Sequence, residues 1–351
     1  MMERVEGYVV REQQGLLSGG VLLISLGMLL FEISLVRIFS VILTYHYVFV
    51  VVSLSLFGLG LGGIFVHLFR RDIPGTEDRF RELGSFAFLS AVSVSLVVSI
   101  LTRLSSPSHI LLYGGLMLIP FFFAGGVFSS AFRMFPGESS RIYGADLIGA
   151  AGGCILALWL LSRLGGVGTG LFVGMIISGG AFLFAIGGRR MGRYLIGGLM
   201  VGCWFFVHIA GLLRWDVPVA DNPEKDMYDA MHQASWPAEI AETRWSAFGR
   251  TDLVRYTNFS DWMALFIDGE AGTNMYRFNG DPRHPDSQAE KLKNSFSGYF
   301  PFFFLEGGER VLTIGPGGGR DVLGALLGGA GQITAVEVNR DMVEIVREYS
   351  A

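Results

Sequence analysis

Long apolar stretches dominate the first part of the chain. A helix needs about 20 apolar residues to cross a hydrocarbon core ~30 Å thick. Seven stretches reach or approach that length: Gly15–Leu43, His46–Phe69, Leu83–Leu101, His109–Phe132, Tyr143–Leu161, Gly168–Gly188 and Tyr194–Leu213. The pattern predicts a membrane all-α bundle of about seven transmembrane helices in residues 1–213. The first stretch is too long for a cleavable signal peptide, so we expect it to be retained.

Small residues recur at a helical spacing inside two of these stretches. They stand four apart at Ala145, Gly149, Gly153 and Ala157, and again at Gly58 and Gly62. Small side chains on one helix face let two backbones approach closely, which is how helices gain packing energy in lipid. The spacing therefore predicts close helix contacts at both places, although glycine is also common in membrane helices without any such role.

The hydrophobic pattern changes character after Trp215. Residues 214–238 have the composition of a polar linker. Two strand-like runs follow, Asp252–Thr257 and Met263–Ile267, and the turn formers between them predict a β-hairpin subdomain over residues 239–275. Gln288–Phe304 has the pattern of an amphipathic helix with an aromatic end.

Composition and charge agree with this division. Of the 351 residues, 51% are hydrophobic and 17% are charged, which is too apolar for an ordinary soluble domain. Residues 1–213 carry a formal charge of +4 and the remainder −8. The acidic second part has no basic field to attract nucleic acid, so no nucleic-acid partner is expected. Cys154 and Cys203 lie in apolar runs, which predicts neither a disulfide framework nor a cysteine metal site.

Arginines are distributed unevenly among the predicted connectors. If seven spans alternate, the connectors on the side of the N-terminus hold most of them, and the opposite short connectors hold only Arg103 and Arg163. The arginine-rich set is Arg4, Arg11, Arg70, Arg71, Arg79, Arg81, Arg133, Arg141, Arg189, Arg190 and Arg193. The positive-inside bias predicts a cytoplasmic N-terminus in a plasma or inner membrane. An odd number of spans then places the C-terminal part outside, whereas a cofactor made in the cytosol favours the cytoplasmic side.

The candidate chemistry lies in the last 41 residues. An apolar strand, Val311–Gly315, leads into Gly-Pro-Gly-Gly-Gly-Arg-Asp and a helix over Asp321–Leu327. A second strand, Gln332–Val336, ends in Glu337, 18 residues beyond Gly319, and a helix follows over Arg340–Tyr349. This order predicts that residues 276–351 form the N-terminal half of an α/β Rossmann-like domain of the methyltransferase type.

The residue types in this segment suit a nucleoside. Glycines at a strand's carboxyl end let the backbone approach a ligand whose polar groups meet N–H groups at the helix start. A carboxylate after the second strand is placed to accept hydrogen bonds from two ribose hydroxyls. The candidate cofactor-binding residues are Gly315, Gly317, Gly318, Gly319, Asp321 and Glu337.

Glycine spacing favours one class of nucleoside over others. The order Gly315-x-Gly317-x-Gly319 suits S-adenosylmethionine and its relatives, whereas a dinucleotide fingerprint has its third glycine where this chain has Arg320. A phosphate loop is excluded because the segment lacks lysine. A nicotinamide cofactor and a purely structural glycine turn remain as alternatives.

The C-terminal residues resemble polyamine aminopropyltransferases, the spermidine synthases, and in particular the subgroup with an N-terminal multi-span membrane domain. The resemblance covers about residues 239–351 and rests on four segments. These are Trp245–Val254, Leu265–Gly269, Val311–Asp321 and Val336–Asn339. Glu32–Arg37 and Tyr143–Gly149 also fit that subgroup.

The resemblance implies an enzyme that transfers an aminopropyl group from decarboxylated S-adenosylmethionine to an amine in polyamine biosynthesis. It implies that the loop glycines line the nucleoside and that Glu337 holds the ribose, with Asp268 and Thr273 as candidate substrate contacts. The chain departs from the family in having Gly272 where a glutamine follows the Asp-Gly pair, and in lacking a Tyr-His-Glu segment. The family's catalytic base, an aspartate after a later strand, is expected beyond Ala351, so we expect the chain to be a fragment that cannot complete the reaction.

Three charged residues fall inside predicted spans: Glu32, Arg37 and Asp146. Charges are costly against lipid, so we expect these residues to face the bundle and pair with one another. They mark either a polar pathway or a structural ion pair. No metal site is expected, because His46 and His208 suit packed or interfacial positions and His284 lies in a solvated loop, Asp281–Asp286.

Three other functions stay open beside the transferase. A methyltransferase acting on a membrane substrate would use S-adenosylmethionine itself. A transporter or sensor would use the nucleoside only for regulation, and a degenerate anchor would have no activity. The expected partners are the lipid bilayer and a small amine or membrane-borne acceptor, and the oligomeric state is left open.

Overall fold

A computed structural model describes residues 2–44, 47–69, 73–104, 109–212, 216–217, 219, 222–233, 235–304 and 306–349, with the side chains of 2–11, 259, 260 and 288 left aside. The chain forms two compact units, Met1–Pro218 and Val219–Ala351. The predicted linker, residues 214–238, therefore straddles the boundary, and its second half contributes a helix to the second unit.

The first unit is a bundle of apolar helices. They are α1 (Met2–Ile42), α2 (Val48–Phe69), α3 (Thr76–Leu101), α4 (Ile110–Met134), α5 (Ser139–Gly187) and α6 (Met191–Ile209). Within the described residues, six helices are long and apolar enough to cross a membrane. The first unit is therefore that of a multi-pass membrane protein, as the apolar stretches predicted.

Six helices correspond to the about seven that were predicted, because the fifth and sixth apolar stretches run into one another in α5. A straight helix of its 49 residues would be about 74 Å long, more than twice a hydrocarbon core. Gly165 interrupts it with φ 66° and ψ −178°, a backbone conformation essentially restricted to glycine. Thus α5 has two arms, residues 139–164 and 166–187.

Contacts with α1 show that the chain reverses between the two arms. In the first arm, Gly149 lies against Leu22 and Gly153 against Leu26, so this arm runs parallel to α1. In the second arm, Gly170 lies near Ser34 and Gly180 near Gly20, so this arm runs antiparallel to α1. Counted with the two arms of α5 separately, the six helices therefore comprise seven helical segments.

The small-residue strips form close contacts, as their spacing predicted. A Cβ added at Gly149 would collide with the carbonyl oxygen of Leu22, and one at Gly153 would come within 2.6 Å of the carbonyl oxygen of Leu26. A Cβ at Gly62 would collide with the carbonyl oxygen of Phe122 on α4. Glycine at these positions lets helix backbones touch where lipid supplies no hydrophobic driving force.

The second unit begins with α7 (Asp226–His232) and an antiparallel sheet. Its strands β1 (Ala238–Ser246), β2 (Gly249–Tyr256), β3 (Phe259–Ile267) and β4 (Glu270–Tyr276) pair in sequence order. The predicted hairpin corresponds to β2 and β3, in which Leu253 pairs with Leu265. The sheet has four strands, two more than the predicted hairpin. The sequence did not predict β1 and β4, because they contain mostly polar and small residues and so show no apolar strand pattern.

The remaining chain forms α8 (Ser287–Ser295), β5 (Arg310–Ile314), α9 (Arg320–Leu327), β6 (Gln332–Val336) and α10 (Arg340–Tyr349). A 3-10 helix over Ser297–Phe304 replaces the second half of the helix predicted to run to Phe304, and Pro301 lies inside it. Strands β5 and β6 are parallel, with Arg310 opposite Gln332 and Ile314 opposite Val336.

Two apolar clusters hold the second unit together. In the first, Leu253, Leu265 and Met275 of the antiparallel sheet pack against Met342 and Ile345 of α10. The second cluster joins α8 and α9, and it consists of Ala289, Leu292, Tyr299, Leu323 and Leu327. Together they bring β4 and α8 next to the β5–α9 connection.

Candidate functional site

The loop between β5 and α9 depends on glycine for its backbone conformation. Gly315, Gly317 and Gly319 have φ angles of 66°, 54° and 87°, in the left-handed region that side chains disfavour. Gly319 immediately precedes the first residue of α9. The alternating glycines therefore let a parallel strand turn directly into a helix.

Two of the loop glycines pack against β4, the edge strand of the antiparallel sheet. A Cβ added at Gly317 would come within 2.8 Å of the Thr273 side chain, and one at Gly318 within 2.8 Å of the Asn274 backbone. Cβ atoms added at Gly315 and Gly319 would meet no described atom within 4 Å. The loop thus has a side covered by β4 and an open side.

Glu337 meets this loop from the end of β6. Its Oε2 accepts a hydrogen bond from the Gly317 amide at 3.1 Å, and its Oε1 accepts one from the Asn339 amide at 2.9 Å. The Gly315 amide donates to the carbonyl oxygen of Val336 at 2.8 Å. The structure therefore places the candidate carboxylate directly beside the candidate glycines.

The amides of the loop are used differently from the expectation that they face a ligand. Besides Gly317, the Gly318 amide donates to Thr273 Oγ1 at 3.3 Å, and the Gly319 amide donates to the Pro316 carbonyl at 2.9 Å. Asp321 lies half-buried in the first turn of α9. As at the start of any α-helix, the N–H groups of residues 320–322 have no acceptor within the helix.

Thr273 and Asp268, the two candidate substrate contacts, lie in different surroundings. Thr273 closes the glycine loop through its hydroxyl. Asp268 is in the turn between β3 and β4, is 8% exposed, and accepts a hydrogen bond from the Arg250 amide through Oδ1 at 2.8 Å. The described contacts of Asp268 hold the turn together, whereas Thr273, on β4, contacts the glycine loop.

Lys225 is a buried residue that sequence reasoning missed. It is 2% exposed, donates to the carbonyl oxygen of Asp268 at 2.8 Å, and lies 3.3 Å from Glu270 Oε1. Burial lowers the pKa of its ammonium group, while Glu270 acts in the opposite direction. A single lysine in a polar linker has no sequence pattern that would predict its burial against the β3–β4 turn.

A second missed group ties β6 to the antiparallel sheet. Asn339, directly beyond Glu337 and Val338, donates from Nδ2 to Thr251 Oγ1 of β2 at 3.0 Å, and both residues are buried. Beside Thr251, the buried Arg250 contacts Asp252 with Nε–Oδ2 2.9 Å. Because Asn339 also donates its amide to Glu337, this bond helps to orient the carboxylate.

Arg320, the residue that replaces the third glycine of a dinucleotide fingerprint, stacks on an aromatic ring. Its guanidinium carbon lies 3.9 Å from the centroid of the Phe296 ring. A cation over the face of a ring is attracted by the ring's quadrupole. The first residue of α9 is therefore anchored to the segment that follows α8.

The acidic groups within the bundle contact serines of neighbouring helices. Ser25 Oγ of α1 donates to Asp146 Oδ1 at 2.6 Å, and the carboxyl group of Glu32 is hydrogen-bonded to Ser55 of α2. Arg37 is half-buried on α1. Asp146 thus meets α1 at Ser25, about two helical turns from Glu32 and more than three turns from Arg37 along that helix.

No group of three or more His, Cys, Asp or Glu side chains suited to a metal ion occurs in the part of the chain that the structure describes. His284 contacts Asp281 at 2.9 Å, and its side chain is 85% exposed. This pair belongs to a solvated loop.

The fold defines the class of the protein at a coarse level: a multi-pass membrane protein with a second unit made of an antiparallel sheet and a parallel βαβα segment. Comparison with known proteins finds no family model, no curated protein and no solved structure that matches the chain. The assignment of a function therefore depends on the residues of the site.

Proposed function

We propose that the protein is a membrane-anchored transferase whose second unit contains a Rossmann-like half domain, residues 276–351, that binds a sulfonium nucleoside. The donor would be decarboxylated S-adenosylmethionine or S-adenosylmethionine, and the acceptor an amine. The observation that supports this proposal most strongly is the hydrogen bond from the Gly317 amide to Glu337 Oε2. It joins a glycine loop and a carboxylate at the carboxyl ends of adjacent parallel strands, where α/β sheets bind nucleosides.

The open side of the loop fits the nucleoside. Gly315 and Gly319 leave their surface clear of described atoms, so a ligand can lie against the backbone. Each oxygen of Glu337 uses one hydrogen bond within the protein, and a carboxylate oxygen has a second lone pair. Glu337 can therefore accept hydrogen bonds from two ribose hydroxyls without releasing the loop.

The transfer itself needs little from the protein beyond positioning and a base. The amine nitrogen attacks a carbon bonded to the sulfonium sulfur, the C–S bond breaks, and its electron pair stays on sulfur, which becomes a neutral thioether. The new C–N bond leaves a proton to be removed from nitrogen. Transfer of an aminopropyl group releases methylthioadenosine, and transfer of a methyl group releases adenosylhomocysteine.

Two sequence features keep methyl transfer as the second candidate. Gly272 replaces the glutamine that the spermidine synthases have after their Asp-Gly pair, and their Tyr-His-Glu segment has no counterpart. These residues belong to the polyamine side of the site, not to the nucleoside side. The identity of the released nucleoside therefore distinguishes the two reactions.

Calorimetric titration of the full chain in detergent tests the nucleoside site. We expect saturable binding of methylthioadenosine or adenosylhomocysteine, and the tighter of the two identifies the donor. Glu337→Gln should weaken binding at least tenfold through the loss of charged hydrogen bonds, each worth roughly 1.5–3 kcal/mol.

Glu306→Gln is the matched control, because Glu306 is exposed and precedes β5 at the opposite end of the sheet. It should bind like the unaltered chain. If neither nucleoside binds, or if the two glutamine variants behave alike, the proposal is rejected.

A further inference from the structure

An open cleft of about 430 Å³ lies next to the glycine loop and is separate from it. Strands β3 and β4 contribute Trp262, Asn274 and Tyr276, and α8 contributes Lys291, Asn294 and Ser295. The backbone of Asn274 is also the part of β4 that Gly318 contacts. The cleft and the loop therefore share one edge of the antiparallel sheet.

The fold builds one wall of this cleft from aromatic rings. Trp262 and Tyr276 are directly paired across β3 and β4, so their side chains lie on the same face of the sheet. Trp262 is held from behind by Tyr256 at 4.8 Å between ring centroids and by Trp236 at 6.4 Å. A half-buried ring fixed in this way presents a flat apolar surface.

The opposite wall is one stripe of α8. Lys291, Asn294 and Ser295 stand at positions i, i+3 and i+4, and therefore share a helix face. The other face of α8 packs into the unit through Ala289 and Leu292. Because α8 is fixed by that packing, its polar stripe is fixed relative to the aromatic wall.

The cleft has a cationic residue on its wall. Among the described residues that line it, Lys291 is charged and none is a carboxylate. The neighbouring lysine, Lys293, is paired with Glu290 at 3.0 Å. The acidic residue of β3 is Asp261, which directly precedes Trp262. Its backbone carbonyl accepts a hydrogen bond from the Arg277 amide. A ligand with a carboxylate would meet a cation, two side-chain amides and two hydroxyls, with no anionic residue among the described lining residues.

We propose that this cleft binds a small compound with a planar ring and a carboxylate, the ring on Trp262 and the carboxylate on Lys291. This inference goes beyond the nucleoside site, since it concerns another set of residues and requires no nucleoside. A ligand bound in the cleft is separated from the glycine loop by strand β4, whose Asn274 contacts both. The cleft disfavours a cationic polyamine, because Lys291 would repel it.

Titration of tryptophan fluorescence in the full chain, purified in detergent, tests this proposal with simple probes. Benzoate should quench saturably, and at least tenfold more tightly than either benzylamine or benzyl alcohol. Lys291→Gln should weaken benzoate binding about tenfold and remove the preference for the anion, whereas Lys293→Gln, the matched control on the same helix, should leave both unchanged.

Trp262→Leu should abolish the quenching, and a normal unfolding temperature would show that the sheet is intact. Cyclohexanecarboxylate should bind more weakly than benzoate, because it lacks the flat ring. Equal binding of benzoate and benzylamine, or equal effects of the two lysine variants, would overturn the proposal. Glu337→Gln should leave benzoate binding unchanged, so that the failure of this site and the failure of the nucleoside site can be told apart.

Discussion

At the scale of single residues, the buried charged side chains described in the second unit are hydrogen-bonded; they are Lys225, Arg250, Asp252 and Asp268. Lys225 is bound to the turn formed by Asp268 and Gly269, since its ammonium group donates to the Asp268 carbonyl and lies beside Glu270. Taking an ammonium group out of water is costly, and the cost is offset only while its partners remain in place. Lys225 therefore connects the segment before α7 to the turn between β3 and β4.

Removing the Lys225 ammonium group should destabilise the protein. Lys225→Met keeps much of the side-chain volume but leaves the Asp268 carbonyl and Glu270 without the ammonium group, which should cost about 3 kcal/mol. The measurement is the thermal unfolding midpoint of the full chain in detergent. Lys293→Met, which alters an exposed pair on α8, should shift the midpoint little, because surface pairs contribute about 0–1 kcal/mol.

The burial of Lys225 should also make the free energy of unfolding depend on pH. Burial lowers the pKa of Lys225 below its ordinary value of 10.5, so in the window just below 10.5 the unfolded chain holds more protons at this position. Stability contributed by this group therefore rises with pH through that window. The difference between the unaltered chain and Lys225→Met should show this rise. A flat difference would contradict the assignment.

At the scale of elements, the reversal inside α5 is decided at one glycine. Gly165 has φ 66° and ψ −178°, and the Ser34 hydroxyl of α1 donates to the Gly166 carbonyl just beyond it at 2.7 Å. A break in a helix within lipid leaves backbone groups unsatisfied unless a neighbouring side chain binds them. The serine on α1 thus stabilises the reversal that places both arms of α5 against that helix.

Gly165→Ala should strain this reversal. A non-glycine residue in such a conformation costs roughly 1–3 kcal/mol, so the unfolding midpoint in detergent should fall. Gly144→Ala, in the first arm of the same helix, is the matched control. A Cβ at Gly144 meets no described atom within 4 Å, and alanine favours a helix over glycine by about 1 kcal/mol, so this variant should be unchanged or slightly more stable. Equal losses in both variants would contradict a special role for Gly165.

At the scale of the whole molecule, seven helical segments, with the two arms of α5 counted separately, place the start of α1 and the end of α6 at opposite ends of the bundle. The arginines at one end also have structural roles, because Arg79 Nη1 donates to the Met134 carbonyl at 2.7 Å and Arg81 Nε to the Gly188 carbonyl at 2.9 Å. These are the unpaired carbonyls that every helix leaves at its C-terminus. The arginine bias therefore reflects capping as well as membrane orientation.

Reporter fusions test this topology. Truncations joined to a reporter after Glu138 and after Gly188 should report the same side, the cytoplasm if the arginine bias sets the orientation. A fusion after Ala210 should report the opposite side. If α5 crossed the membrane without reversing, the fusions after Glu138 and Gly188 would differ, and the seven-segment arrangement would be wrong.

Local sequence patterns alone determine much of the architecture of this protein. The lengths of the apolar stretches, the four-residue spacing of small side chains and the distance from Gly319 to Glu337 are local periodicities, which act before any tertiary contact forms. Tertiary structure alone decided the rest: the direction of the second arm of α5, the pairing of β1 and β4, the burial of Lys225, and the covering of Gly317 and Gly318 by Thr273 and Asn274. Each of these depends on partners 40 or more residues away or on polar segments without a periodic pattern, so its free energy exists only in the packed molecule.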